Sequence, residues 1–209
     1  AEYLREEHGV GPHTISVPRL QSAPGTDFEA PHPLSDADLK RAVAVLRLTA
    51  PYTGLILSTR ASADMRDELV NLGISQMSAA SITEIGGYGK GQETTGQFDT
   101  HDHRSLDQCV RDIVSREGIP SFCTGCYRKN RTGSRFMKMV EAGEIRDLCL
   151  PNAILTLAEY VEDYGSEGTK RAFARRKLQW LCEVPDERVR EATASALEEV
   201  EGGVRDVYL

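Results

Sequence analysis

Three cysteines share a short polar stretch of the sequence, Cys123, Cys126 and Cys149, spaced C-x2-C-x22-C. Two thiolates two residues apart, joined by a third after an intervening segment, form a metal-site spacing. Three sulfurs also leave one coordination position open. A tetrahedral zinc needs a fourth ligand, and residues 120–152 offer no obvious one. The spacing therefore favours a [4Fe–4S] cluster with one iron free, with a structural zinc as the alternative. Residues 124–128 have neither helix nor strand periodicity, which argues against three unrelated core thiols. Arg128, Lys129, Arg131 and Arg135 lie beside the triad, where cations lower thiol pKa values. Arg128 and Arg131, which flank it, read either as stabilising an anionic cluster or as solvated surface charges. The other two cysteines read as small core hydrophobes. Cys109 belongs to the helical stripe Leu106, Cys109, Val110, Ile113, and Cys182 follows Leu178 and Leu181.

Further candidates sit at strand ends. Arg60 closes an apolar run, and a guanidinium there needs a partner, either a ligand carboxylate or a loop acid. Arg19 ends an earlier strand in the same way, and Ser78 lies near the end of a third. His13 precedes the first strand, where a hydrogen-bonded structural role and a metal-ligand role are both open. His101 and His103, in a polar loop, read as solvated side chains. No residue is assigned a catalytic role.

The elements that must position these residues alternate. Ala1–His8 reads as the last turns of a helix stopped by Gly9 and Gly11, so the chain is expected to be the C-terminal part of something larger. A strand at Thr14–Val17 precedes a helix opened by a Ser35/Asp38 capping box and ended before Pro51. The run Thr53–Thr59 reads as a parallel strand covered on both faces. A helix capped by Ser62 and stopped at Gly73 leads to a third strand, Ile74–Ala80. This β-α-β-α-β order predicts an α/β fold with about three parallel strands, part of a doubly wound sheet or a (β/α)8 barrel. Three strands leave two raw edges. Residues 82–104 form a long polar loop of the kind that gathers at barrel active sites. Helices follow at 105–117, 133–142, 152–164, 169–183 and 186–201, so residues 1–104 and 105–209 form the two expected domains.

The chain's 209 residues carry 32 acidic against 25 basic side chains, which argues against a nucleic-acid binder. No apolar run approaches membrane-spanning length and no signal peptide opens the chain, so a cytoplasmic location is expected. Five cysteines in a chain of this size do not suggest a disulfide framework.

Five blocks carry a resemblance: GVGPHTISVPRL (Gly9–Leu20), PYTGLILSTR (Pro51–Arg60), GISQMSAAS (Gly73–Ser81), IPSFCTGCYRKNRTGSRFM (Ile119–Met137) and CLPNAILT (Cys149–Thr156). Together they resemble the HydG-type radical SAM tyrosine lyases, over nearly the whole chain. The nearest relatives, the ThiH-type 2-iminoacetate synthases of thiamine synthesis, share the barrel and tyrosine cleavage but lack the C-terminal cysteine triad. The resemblance implies the last strands of a radical SAM (β/α)8 TIM barrel followed by a mostly helical C-terminal domain. It implies a lyase that cleaves tyrosine to p-cresol and dehydroglycine, and forms CO and cyanide for the [FeFe]-hydrogenase H-cluster. The implied cofactors are S-adenosylmethionine with one [4Fe–4S] cluster, and an auxiliary [4Fe–4S] cluster with a labile extra iron. Cys123, Cys126 and Cys149 match the auxiliary ligands, and His13 matches the histidine that offers an imidazole to the labile iron. A comparable Arg and Ser pair in the related tryptophan lyase raises Arg60 and Ser78 as substrate binders, with Arg19 a weaker candidate and Ser81 and Tyr88 as pocket neighbours. Tyrosine and other hydrogenase maturation proteins are the implied partners.

Three departures stand out. The chain contains no C-x3-C-x2-C, the motif of the radical-generating cluster, so the radical reaction is not expected of this chain alone. Asn130 and Ala80 occupy positions where the family favours glycine. Beside this reading stand a ThiH-type lyase whose cysteines bind nothing and a non-catalytic iron–sulfur or zinc module that docks on a partner.

Overall fold

The computed structural model describes residues 1–84, 86–88 and 96–209. Part of the polar loop expected at 82–104 lies outside them. The chain divides into two compact units, Ala1–Ser105 and Leu106–Leu209.

The first unit opens with α1 (Glu2–His8), stopped by Gly9. Three parallel strands follow, β1 (Thr14–Ser16), β2 (Gly54–Leu57) and β3 (Gln76–Met77), in the order β1-β2-β3. Ile15 pairs with Leu55, and Leu57 with Met77. Helices α2 (Asp36–Thr49) and α3 (Ala63–Asn71) are the crossovers. The Ser35 hydroxyl starts α2 by accepting the Asp38 N–H at 3.1 Å and donating to the Asp38 carboxylate at 2.6 Å. Ser62 caps α3 in the same way through the Met65 N–H. Leu39 and Val43 of α2 pack with Met65 and Leu69 of α3 over Leu55 and Leu57, forming one buried cluster. Gly73, after α3, has φ 112°, and a Cβ there would lie 2.7 Å from Arg47 Cγ. Only glycine lets the backbone pass so close to Arg47, whose guanidinium caps the Gly73 carbonyl.

Two expectations for this unit need correction. β2 is not covered on both faces: Leu55 and Leu57 are buried while Gly54 and Ile56 are half-exposed, because α2 and α3 cover one side only. The third strand is far shorter than Ile74–Ala80. It ends at Met77, and Ala80 takes a left-handed φ of 50°, which cannot continue a strand.

The second unit is helical: α4 (Leu106–Ser115), α5 (Gly125–Arg128), α6 (Gly133–Ala142), α7 (Arg146–Tyr164), α8 (Glu167–Cys182) and α9 (Glu187–Glu201). Its core gathers Val110 and Val114, Ile154 to Val161 of α7, Phe173, Trp180 and Leu181 of α8, and Ala196, Leu197 and Val200 of α9. Cys109 is buried as expected, but Cys182 is exposed. α8 turns Thr169, Phe173, Trp180 and Leu181 inward, which places Leu178 (67% exposed) and Cys182 on the outer face. The segment around the cysteines also contains a single helical turn, α5, where no periodicity was expected. α7 begins six residues before the expected 152, because Pro151 is accommodated inside the helix instead of starting it. No helix among the described residues is long and apolar enough to cross a membrane.

Candidate metal centre

The three cysteines all belong to the second unit. Cys123 lies in the turn before α5, Cys126 within α5, and Cys149 in the first turn of α7. Helix α6 supplies the excursion between the second and third thiols. Gly125 lies between Cys123 and Cys126: its N–H donates to Cys123 Sγ at 3.3 Å, and a Cβ there would make ordinary van der Waals contact with that sulfur at 3.4 Å, Tyr208 at 3.6 Å and Arg131 Nη2 at 3.8 Å. The Arg131 N–H donates to the Cys126 carbonyl at 2.8 Å. Asn130, between them, has φ 53°, a left-handed conformation that asparagine tolerates better than most residues.

Burial pushes the Cys149 thiol pKa up; Cys126 and then Cys123 add to the rise, while the Arg131 charge opposes it. The sulfur is partly desolvated although Cys149 as a residue is exposed. Cys149 is therefore within electrostatic reach of both other thiols. Among the described residues, however, no three His, Cys, Asp or Glu side chains converge closely enough to hold a single metal ion.

The C-terminal segment braces this region. Val207 N–H donates to Glu159 at 2.8 Å, and the buried Asn152 side chain exchanges two hydrogen bonds with the Leu209 backbone, at 2.8 and 3.1 Å. Arg128 is engaged with Asp206 at 3.0 Å and lies over the Tyr208 ring. Cys123, Arg128, Tyr160, Asp206 and Tyr208 help line a cavity of about 680 Å³. Phe122 stacks on Tyr160 there, with ring centroids 4.9 Å apart.

The strand-end candidates belong to the first unit. His13 immediately precedes β1 and is exposed. Arg60 and Ser78 follow the C-terminal ends of β2 and β3, as strand polarity requires. Arg60 stacks on Phe98, 4.0 Å from the ring centroid. Its Nε is buried without a hydrogen-bond partner, and no described acid pairs with it. Arg19 is instead ion-paired with Asp36 at the start of α2. Ser81 lines a 200 Å³ hollow with His103, while Tyr88 is 73% exposed and stands outside it. His101 is not free in solvent: its Nε2 donates to Gln21 at 2.9 Å.

A buried ion network behind Ser78 was not foreseen. Arg66 donates to Asp102 and to the Ser78 carbonyl. Arg104 binds the same Asp102 carboxylate at 2.7 Å and Asp67 at 3.1 Å. Thr59 completes the clasp by accepting the N–H groups of His101 and Asp102. The only sequence signal was an arginine, Arg66, inside an otherwise amphipathic helix.

The comparisons fit this picture. The model of the Biotin and Thiamin Synthesis associated domain matches residues 16–119, ending just short of Cys123. A crystal structure of HydG, a maturase of the [FeFe]-hydrogenase, matches with a TM-score of 0.93 at 45% identity, covering 100% of this chain and 46% of that one. The chain belongs to the HydG/ThiH family. HydG from Carboxydothermus hydrogenoformans gives a TM-score of 0.71 at 40% identity, over 94% of this chain and 42% of its own. The 2-iminoacetate synthase of Escherichia coli strain K12 is 33% identical over 117 residues, 56% of this chain and 30% of that protein. The chain thus spans less than half the length of the HydG structures, matching their C-terminal part.

Proposed function

We propose that this chain carries the auxiliary [4Fe–4S] site of a HydG-type radical SAM tyrosine lyase, with Cys123, Cys126 and Cys149 as ligands. The observation that carries the reading is the similarity to HydG, 45% identical over the whole of this chain and so across all three cysteines. Among the described residues no three His, Cys, Asp or Glu side chains converge on a single metal ion. A tetrahedral zinc, with Zn–S near 2.3 Å, draws its sulfurs to within about 3.8 Å of each other. A cube takes each sulfur on a different iron and tolerates wider spacing. When bound, such a cluster supplies one iron free of protein ligands. Gly125 N–H and the basic residues round the turn are placed to stabilise its negative charge. His13 is proposed as the imidazole for the labile iron.

Arg60 and Ser78 are proposed to hold the tyrosine substrate. The Arg60 guanidinium has no described acid to neutralise it, and its fork suits a carboxylate. Arg19 is the weaker candidate, since binding substrate would require it to leave Asp36. Tyrosine cleavage and the supply of CO and cyanide to the [FeFe]-hydrogenase H-cluster, with S-adenosylmethionine and a second [4Fe–4S] cluster, are assigned to the full-length parent, working with other hydrogenase maturation proteins in the cytoplasm. This chain, without a C-x3-C-x2-C motif, is not assigned that reaction alone.

A 2-iminoacetate synthase of the ThiH type is the second reading, favoured by the 33% identity to that enzyme. It accounts for 56% of this chain, whereas the HydG match extends across the whole of it, triad included. Iron and sulfide analysis with EPR, on anaerobically reconstituted protein, separates the readings. About four irons and four sulfides per chain are expected, with the signal abolished in Cys123→Ser. Stoichiometric zinc without sulfide would identify a metal module instead, and no bound metal would leave the ThiH-type reading.

A further inference from the structure

The basic residues round the cysteines are not equivalent. Arg128 is exposed and committed to Asp206. Arg131 is half-buried, its Nε is fully enclosed, and among the described residues nothing accepts from it. A buried guanidinium N–H without an acceptor costs on the order of 1–3 kcal/mol and points to a group the protein has still to bind. Arg60 and Arg66 also have enclosed Nε atoms. Arg66, however, spends its other nitrogens on Asp102 and the Ser78 carbonyl, and Arg60 stacks on Phe98. The Arg131 side chain has no such engagement and no acidic partner among the described residues.

Its position ties it to the thiols. Nη2 and Cys123 Sγ flank the same face of Gly125, at 3.8 and 3.4 Å from the point a Cβ would occupy. The Arg131 backbone holds the Cys126 carbonyl. A Cβ at Gly125 would make ordinary van der Waals contact with guanidinium and sulfur alike, so the two border the same small space.

We propose that Arg131 is a positioning residue for the auxiliary cluster: its guanidinium donates to the cluster's sulfur face and sets its reduction potential. This rests on the cluster reading above. A cation donating to sulfur stabilises the more negative reduced state, so its removal lowers the potential. A lysine keeps the charge but not the planar fork, and recovers only part of the effect.

The test is an EPR-monitored redox titration of the reconstituted 209-residue chain. Arg131→Met is expected to retain iron and sulfide but to shift the oxidised-to-reduced ratio at fixed potential at least tenfold toward oxidised, about 59 mV for a one-electron couple. Arg131→Lys should shift it roughly threefold, and Arg175→Met, an exposed basic residue of α8, should leave it unchanged. A cluster retained in Arg131→Met at an unaltered potential overturns the proposal. Should that variant fail to take up iron, Arg131→Lys decides: a lowered potential supports the role and an unmoved one refutes it. Failure of the cluster reading itself looks different, because Cys123→Ser would then bind iron and sulfide as well as the parent chain.

Discussion

Ala80 and Asn130 are two non-glycine residues with positive φ, 50° and 53°. Asparagine tolerates that region, because its short polar side chain bonds locally; alanine gains nothing in return. Ala80→Gly should therefore stabilise the chain by about 1 kcal/mol, read as a higher urea midpoint at constant m-value. A lower midpoint would mean the left-handed turn is unstrained. Asp102 makes a second prediction. Burial would raise its pKa, but hydrogen bonds from the Arg104 side chain and backbone, with the charges of Arg66 and Arg104, bring it to about 2 from 3.8. The folded pKa lies below the unfolded one, so its stabilisation is complete above pH 4 and is lost as pH falls through 2. The loss is on the order of 2 kcal/mol. Asp102→Asn should remove that acid sensitivity and destabilise the neutral protein by about 3 kcal/mol, since Arg66 stays buried without its counter-charge. Urea titrations at pH 5 and pH 2.5 check both effects; equal acid dependence in parent and variant would contradict them.

Helix α7 connects core and site. Its C-terminal two-thirds carry Ile154, Leu155, Leu157, Ala158 and Val161 into the core of the second unit, while its first turn presents Cys149. Between them, Asn152 anchors the C-terminal segment through Leu209, and the same segment brings Asp206 and Tyr208 to the turn holding Cys123 and Cys126. Asn152→Ala deletes two hydrogen bonds from a buried position and should cost about 2 kcal/mol. The amides of residues 204–209 should then exchange faster, and mass spectrometry of deuterium uptake resolves this. If the protection of that segment is unaffected, Glu159 alone suffices to hold it.

For the molecule as a whole, the sheet is the exposed element. The order β1-β2-β3 leaves β1 and β3 with an outer edge among the described residues, and the β2 face bearing Ile56 is only half-covered. Unpaired strand edges template association. The isolated chain is expected to self-associate with rising concentration in sedimentation velocity runs. A single monomeric species throughout the micromolar range would show that these short edges are adequately protected.

What sequence alone determined is local or periodic. The thiol spacing, the order of strands and crossover helices, the serine caps of α2 and α3 and the glycine stop of α1 all follow from residues a few positions apart. Tertiary structure decided what depends on distant pairing. Arg128 and Arg131 look alike in sequence, yet one meets Asp206 and the other a sulfur-lined turn. Cys182 follows the same apolar spacing as a core residue but faces outward, because Phe173 and Trp180 fix which side of α8 is buried. The Arg66–Asp102–Arg104 clasp joins residues nearly forty positions apart, and a charge's partner at that range is chosen by packing. Pro151 disguised the true start of α7, since a helix that tolerates a proline loses one backbone bond without losing its axis.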